Sequence, residues 1–222
     1  MPYASSSPML LGVETSRSKK GIVQSAIDVK VWLVRPPSVD EARPAACAQC
    51  EAPSRQPGHR LGLWGHGSRG RWVEGPLAPD DTPAWVEVIA RRYECVVCGA
   101  VMEVVPRGVI AGYRYLAGAI ASALALYGSL GKKVEEVRRR TSTTATPAGF
   151  GEACRWSTVR RWVAAAVEGR LFGKARVARP TTTWSPRRRA ARIASTLAAC
   201  AMPSSRHLPW EAQVYVGGVQ MS

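Results

Sequence analysis

Two short cysteine hooks, Cys47-Ala-Gln-Cys50 and Cys95-Val-Val-Cys98, constrain the fold of this 222-residue chain more than any other feature. A Cys-x-x-Cys segment can curl so that both sulfurs point at one centre. Two such hooks supply the four soft thiolates of a closed tetrahedral zinc site, with metal–sulfur bonds of about 2.3 Å. Both hooks can reach one ion only if the residues between them leave the first hook and return to it, which a hairpin of strands accomplishes. The insert is longer than the roughly 15–20 residues usual between zinc hooks, and the first hook lacks the glycine that Gly99 supplies after the second. Buried free thiols or a disulfide are the alternatives, and a reducing compartment favours metal over a disulfide. Cys47, Cys50, Cys95 and Cys98 are therefore the expected ligands of a structural Zn²⁺. A redox role would need a hook that follows a strand and opens a helix, and both hooks are flanked by strand or loop. His59 and His66 read as exposed loop and hairpin residues, and Cys154 and Cys200 as isolated thiols.

Residues 1–24 have little periodicity and read as a disordered lead. The β-branched run at 27–34 predicts a strand stopped by Pro36-Pro37. Residues 60–66 and 71–74 have extended character, with Gly67-Ser-Arg-Gly70 between them as a hairpin turn, and 76–83 is a second loop. The clearest strand is 85–94, with Val86, Val88 and Ala90 on one face and Trp85, Glu87, Ile89 and Tyr93 on the other. It runs into the second hook, and a strand at 101–105 leaves it. A strand entering and a strand leaving such a hook is the anatomy of a zinc ribbon, so residues 25–110 are expected to form a small antiparallel β unit of that kind.

Beyond residue 110 the apolar spacing changes from 2 to about 3.6. Leu116, Ile120, Leu124 and Tyr127 share one helical face, closed by Gly128. Ser129 is the expected cap of a second helix at 130–140, with Val134 and Val137 inward and Lys132, Lys133, Arg138, Arg139 and Arg140 outward. A third helix starts near Ser157, its stripe made by Val159, Trp162, Val163, Ala166 and Val167, with Thr158, Arg160, Arg161 and Ala165 off it. After a basic linker, Ser185-Pro186 opens a fourth helix at 187–202. Its Arg187, Arg188 and Arg189 crowd an N-terminus where the helix dipole disfavours cations, which points to a partner anion. Residues 213–216 read as a short strand. The fold class is thus α+β: the lead, the β unit, a helix-turn-helix-like region at 111–170, and a linker with a C-terminal helix and tail at 171–222.

Charge divides the chain in the same way. Lys and Arg number 31 against 16 acidic residues, for a net +15. Residues 1–100 contribute only +2, and 101–222 contribute +13. A basic half joined to a near-neutral one is the pattern of polyanion binding. Arginine can read guanine through two hydrogen bonds, and threonine can meet a thymine methyl group, so Thr158, Arg160 and Arg161 suit the early turns of a helix in a major groove. A small amphipathic bundle with a solvated basic face is the plainer reading. The connection before the third helix is also longer than the three or four residues of a simple helix-turn-helix.

Arg91-Arg-Tyr-Glu-Cys95-Val-Val-Cys98-Gly99, preceded by a second Cys-x-x-Cys, resembles the N-terminal end of bacterial insertion-sequence transposases. Val134-Glu-Glu-Val-Arg-Arg-Arg140 and Ser157-Thr-Val-Arg-Arg-Trp162 resemble the second and third helices of their DNA-binding module. The likeness covers roughly residues 45–168. It implies that the four cysteines hold zinc and that the basic helices bind transposon-end or similar duplex DNA. A bacterial, nucleoid-associated protein, acting as a homo-oligomer or beside a separate catalytic protein, is expected with it, and a reducing cytoplasm is the compartment expected of a chain read as having neither a secretory leader nor a spanning segment. Such transposases carry three carboxylates that hold two metal ions for phosphoryl transfer. After residue 103 this chain has no aspartate, and its only glutamates are Glu135, Glu136, Glu152, Glu168 and Glu211. A binding protein without a nuclease core is expected, not an enzyme. The alternatives are an RNA- or protein-binding zinc ribbon, reading single strands through Trp156, Trp162 and Trp184, or a decayed transposase fragment. No secretory leader is evident, and the apolar run at 116–127 falls short of the roughly 20 residues that span a bilayer.

Overall fold

A computed structural model describes residues 21–55, 58, 60–143, 156–175 and 183–222. Among them the chain is mixed α+β, with one four-stranded sheet and six helices. Strands β1 (Gly21–Asp28), β2 (Leu63–Gly75), β3 (Ala84–Cys95) and β4 (Val101–Arg107) lie in the order β1-β4-β3-β2. The last three make an antiparallel meander, and β1 adds to the outer edge of β4 in parallel, with Gly21 beside Met102. The helices are α1 (Val29–Val34), α2 (Ala117–Gly128), α3 (Val134–Thr141), α4 (Thr158–Val167), α5 (Pro186–Cys200) and α6 (Trp210–Gln220).

Three expectations for the front half need correction. Residues 21–24, read as part of a disordered lead, belong to β1, because β4 offers them an edge 81 residues away in sequence. Residues 29–34 form α1 and do not continue a strand. The Asp28 carboxylate accepts a hydrogen bond from the Lys30 N–H at 3.0 Å and so caps the helix. Val29 and Trp32, three positions apart, are buried together, and the Trp32 indole donates to Ile89 O at 2.9 Å. Gly67-Ser-Arg-Gly70 is not a turn, since β2 runs through it against the same partner, with a register irregularity between Gly65 and Ser68. Gly67, at φ +88°, supplies the left-handed backbone there, so the glycines absorb a bulge. The loop at 76–83 makes the real β2–β3 connection.

The segment after α1 folds over the hook end of the sheet. Tyr93 is fully buried beneath it. Its hydroxyl donates to Val39 O at 2.6 Å, and Arg91 donates to Pro37 O at 2.9 and 2.7 Å. Trp85 and Glu87, of the same strand parity, are exposed at the other end, which this segment does not cover.

In the helical layer, α2 is enclosed rather than one-sided. Ten of its twelve residues are buried, and α3, α4, α5 and α6 pack around it. Its many alanines let those neighbours approach closely. The α5–α6 and α2–α6 contacts are close enough that a side chain at Gly217 would strike the Leu197 carbonyl, and one at Gly218 would strike Ala121. Residues 213–216, read as a strand, therefore lie in α6, where Val214, Tyr215, Gly217, Gly218 and Val219 are buried. Ser129 closes α2, its N–H bonding Ala125 O at 3.0 Å, and does not cap α3. The start of α4 and its stripe agree with the spacing, although Ala165 is buried as well. Ser185 caps α5, its side chain accepting from the Arg188 N–H at 3.3 Å. No helix among the described residues is long and apolar enough to cross a membrane.

Candidate metal centre and basic surface

The two hooks are built alike. At the first, the Cys47 N–H bonds Ala52 O at 2.8 Å and the Glu51 N–H bonds Cys47 O at 2.9 Å. At the second, the Cys95 N–H bonds Ala100 O at 3.0 Å and the Gly99 N–H bonds Cys95 O at 2.8 Å. The residue after each hook's second cysteine is left-handed, Glu51 at φ +60° and Gly99 at φ +68°. The first hook thus adopts the second hook's backbone without its glycine. One hook sits at the β3–β4 turn and the other in a small loop closed by the Ala46–Pro53 bridge.

Other bonds hold the hooks together. The Val96 N–H donates to Gly62 O at 3.0 Å, and the Gly62 N–H donates to Ser54 O at 2.9 Å. A side chain at Gly62 would collide with Pro53 O, so this crossing admits only glycine. Arg43 donates to Leu63 O and to Asp40, with its guanidinium 5.5 Å from the Tyr93 ring centre. No local pattern in the sequence marks Arg43 for this role.

All four sulfurs lie within 4.8 Å of one another, with Cys47–Cys98 and Cys50–Cys95 separations of 3.7 Å. A tetrahedron with metal–sulfur bonds of about 2.3 Å has edges of about 3.8 Å. A disulfide needs about 2.05 Å, so these sulfurs are spaced for an ion and not for bonding to each other. Cys47 and Cys95 are buried, and Cys50 and Cys98 are exposed. Burial pushes the Cys47 thiol up, but the N–H groups of Cys50 and Gln49 and the neighbouring thiols outweigh it and hold it at about 7. The Ala100 N–H draws Cys98 down, yet burial and the other three thiols raise it to about 12. The Cys47 thiolate forms readily while those of Cys50 and Cys98 are opposed, a conflict that a divalent cation at the centre would remove. The cluster could hold a metal ion and fits zinc, and four protein ligands leave no open position for catalysis. His66 stands outside it, with Nδ1 3.1 Å from Glu94 Oε2, while His59 and Cys154 lie outside the described residues.

The basic residues expected to meet DNA are spread over α3, α4 and α5. Lys133, Arg139, Arg140, Arg160, Arg161 and Arg188 are exposed; Lys132, Arg138, Thr158 and Arg189 are half-buried. Glu136 pairs with Lys132 at 3.1 Å and with Arg140 at 3.4 Å. Arg161 donates to Thr158 Oγ1 at 3.2 Å. Arg187 turns inward instead. It donates to Tyr127 O at 2.9 Å and Lys132 O at 3.1 Å, closing the end of α2, and lies 4.6 Å from the Tyr127 ring centre. Trp162 is buried, edge-on to Tyr115 and Trp156, so it offers no open stacking face.

A further constellation carries no signal in the sequence. Glu74 is fully buried, and its Oε1 accepts from Ser142 Oγ at 2.6 Å and from the Thr143 N–H at 2.7 Å. Its Oε2 lies 3.1 Å from Arg114 Nη2. It ties the edge strand β2 to the end of α3. Comparison with protein-family models, curated proteins and solved structures finds no match to this chain.

Proposed function

We propose that this chain is a zinc-braced nucleic-acid-binding protein whose partner is duplex DNA. The carrying observation is the pairing of a four-thiol cluster, spaced as zinc requires, with a helical layer whose exposed charge is mostly arginine and lysine. Cys47, Cys50, Cys95 and Cys98 would hold the ion, which neutralises thiolate charge and joins the two hooks. The meander carrying the second hook supports the finer reading of the front half as a zinc ribbon. The first turn of α4 is the segment offered to a DNA groove, with Thr158, Arg160 and Arg161 on it, as in a helix-turn-helix. The resemblance to insertion-sequence transposases supports DNA from a mobile element as the partner and a role without cleavage by this chain.

Phosphate contacts release counterions, so each one lost flattens the slope of log affinity against log salt by about 0.9. Gel retardation of a duplex over a salt series should therefore give a shallower slope for Arg160→Ala and Arg161→Ala than for the wild-type chain. No retardation by zinc-loaded protein at low salt would sink the DNA reading. Preference for a folded or single-stranded RNA over the duplex in competition would move the assignment to RNA.

A further inference from the structure

A groove of about 820 Å³ opens between the loop at 111–115 and α4. Arg114, Arg161 and Arg170 line it, together with Tyr113, Thr158 and Trp162, and no carboxylate among the described residues does. The three guanidiniums are held in different ways. Arg114 is braced from behind, its Nη2 at 3.1 Å from buried Glu74 and 3.0 Å from the Tyr115 hydroxyl, while half of its side chain stays exposed. Arg170 is steadied by Glu168, with Nε 2.7 Å from Oε2. Arg161 is exposed and touches Thr158. The remaining wall is aromatic, with Tyr115 and Trp162 locked edge-to-face at 4.9 Å.

Guanidiniums in a fork geometry recognise phosphate oxygens, and a half-buried aromatic ring beside them, here Tyr113, suits a base. The volume lies in the range that encloses a small organic ligand, larger than phosphate alone needs and far too small for a duplex. From this we infer that the groove binds one nucleotide unit. Its phosphate lies among Arg114, Arg161 and Arg170, and its base lies against half-buried Tyr113, with the enclosed Tyr115–Trp162 pair only backing the groove. This deepens the nucleic-acid reading and rests on it. The unit is a free 5′-nucleotide or an unpaired nucleotide of a strand held by the basic helices. Glu74 and Glu168 are positioning residues in this scheme.

Calorimetric titration of the zinc-loaded full chain with dAMP, and separately with inorganic phosphate, tests it. Saturable one-to-one dAMP binding is expected, with phosphate competing. Arg161→Gln should weaken dAMP by roughly tenfold or more, the effect of losing one charge-assisted hydrogen bond. Arg206→Gln, an exposed charge outside the groove, should leave it unchanged. No dAMP binding by the wild-type chain, or equal binding by both variants, overturns the inference. Competition between dAMP and a 5′-phosphorylated oligo-dT, compared with a blunt duplex, separates the sources: displacement by the oligonucleotide assigns a strand nucleotide, and its failure beside tight dAMP binding assigns a free one. If the duplex is retarded while dAMP does not bind, the groove assignment falls and the DNA reading stands. If dAMP binds and the duplex does not, the groove stands and the DNA reading falls.

Discussion

The left-handed residue that follows each hook gives a test with opposite signs at two positions. Glu51 occupies at φ +60° the place that Gly99 fills at φ +68°, within matching hydrogen bonds. An L-residue pays about 1–2 kcal/mol in this conformation. Glycine removes that cost but adds about 0.4–1 kcal/mol of unfolded-chain entropy, so Glu51→Gly should stabilise the protein by about 0.5–1 kcal/mol. A zinc ion with four thiolates carries a net charge of about −2, and losing the Glu51 carboxylate beside it acts in the same direction. Glu51→Gln removes the charge and keeps the backbone strain, so it should gain little. Gly99→Ala reverses the argument. A Cβ there meets nothing within 4 Å, so the cost is conformational and not steric, at about 1 kcal/mol net. For a chain of this size about 1 kcal/mol moves the melting temperature by roughly 2–4 °C. Thermal unfolding of zinc-loaded protein reads both signs, and chelator competition shows whether the gain appears as tighter metal retention. A Glu51→Gly variant that melts below the wild type, with Glu51→Gln unchanged, would refute the equivalence of the hooks.

Three further outcomes follow from the same geometry. Without metal, Cys98 is held up near 12 and Cys50 is also raised, so both carry protons at neutral pH. Metal must displace those protons; apparent zinc affinity should therefore rise with pH and fall steeply as pH drops through about 7, where Cys47 titrates, as a competing chromophoric chelator would record. Glu74→Gln keeps an acceptor for Ser142 and Thr143 but loses the ion pair with Arg114, and urea denaturation should show a loss of about 1–3 kcal/mol. Arg187→Ala removes two bonds to carbonyls at the end of α2 and should cost about 1–3 kcal/mol in the same assay. Its effect on duplex affinity should be smaller than that of Arg161→Ala.

What the sequence determined by itself was whatever rests on neighbours along the chain. Cysteine spacing announced both hooks, Ser185-Pro186 the start of α5, and the stripe from Val159 to Ala166 the buried side of α4, because caps and periodicity act within a turn or two. Tertiary structure decided the rest. β1 exists because β4 offers it an edge, and no pattern in 21–24 encodes a partner so far along the chain. At 29–34, Asp28 and the slot that buries Trp32 overrode a β-branched composition. The strand expected at 213–216 is helix instead, within an α6 whose Gly217 and Gly218 let it lie against α5 and α2. The site divides likewise: the four cysteines that cluster as a candidate metal centre were legible, since a metal needs particular atoms at particular spacings. The strained Glu51, the inward Arg187, buried Glu74 and the arginine-lined groove were not, because each owes its role to residues that only the folded chain brings beside it.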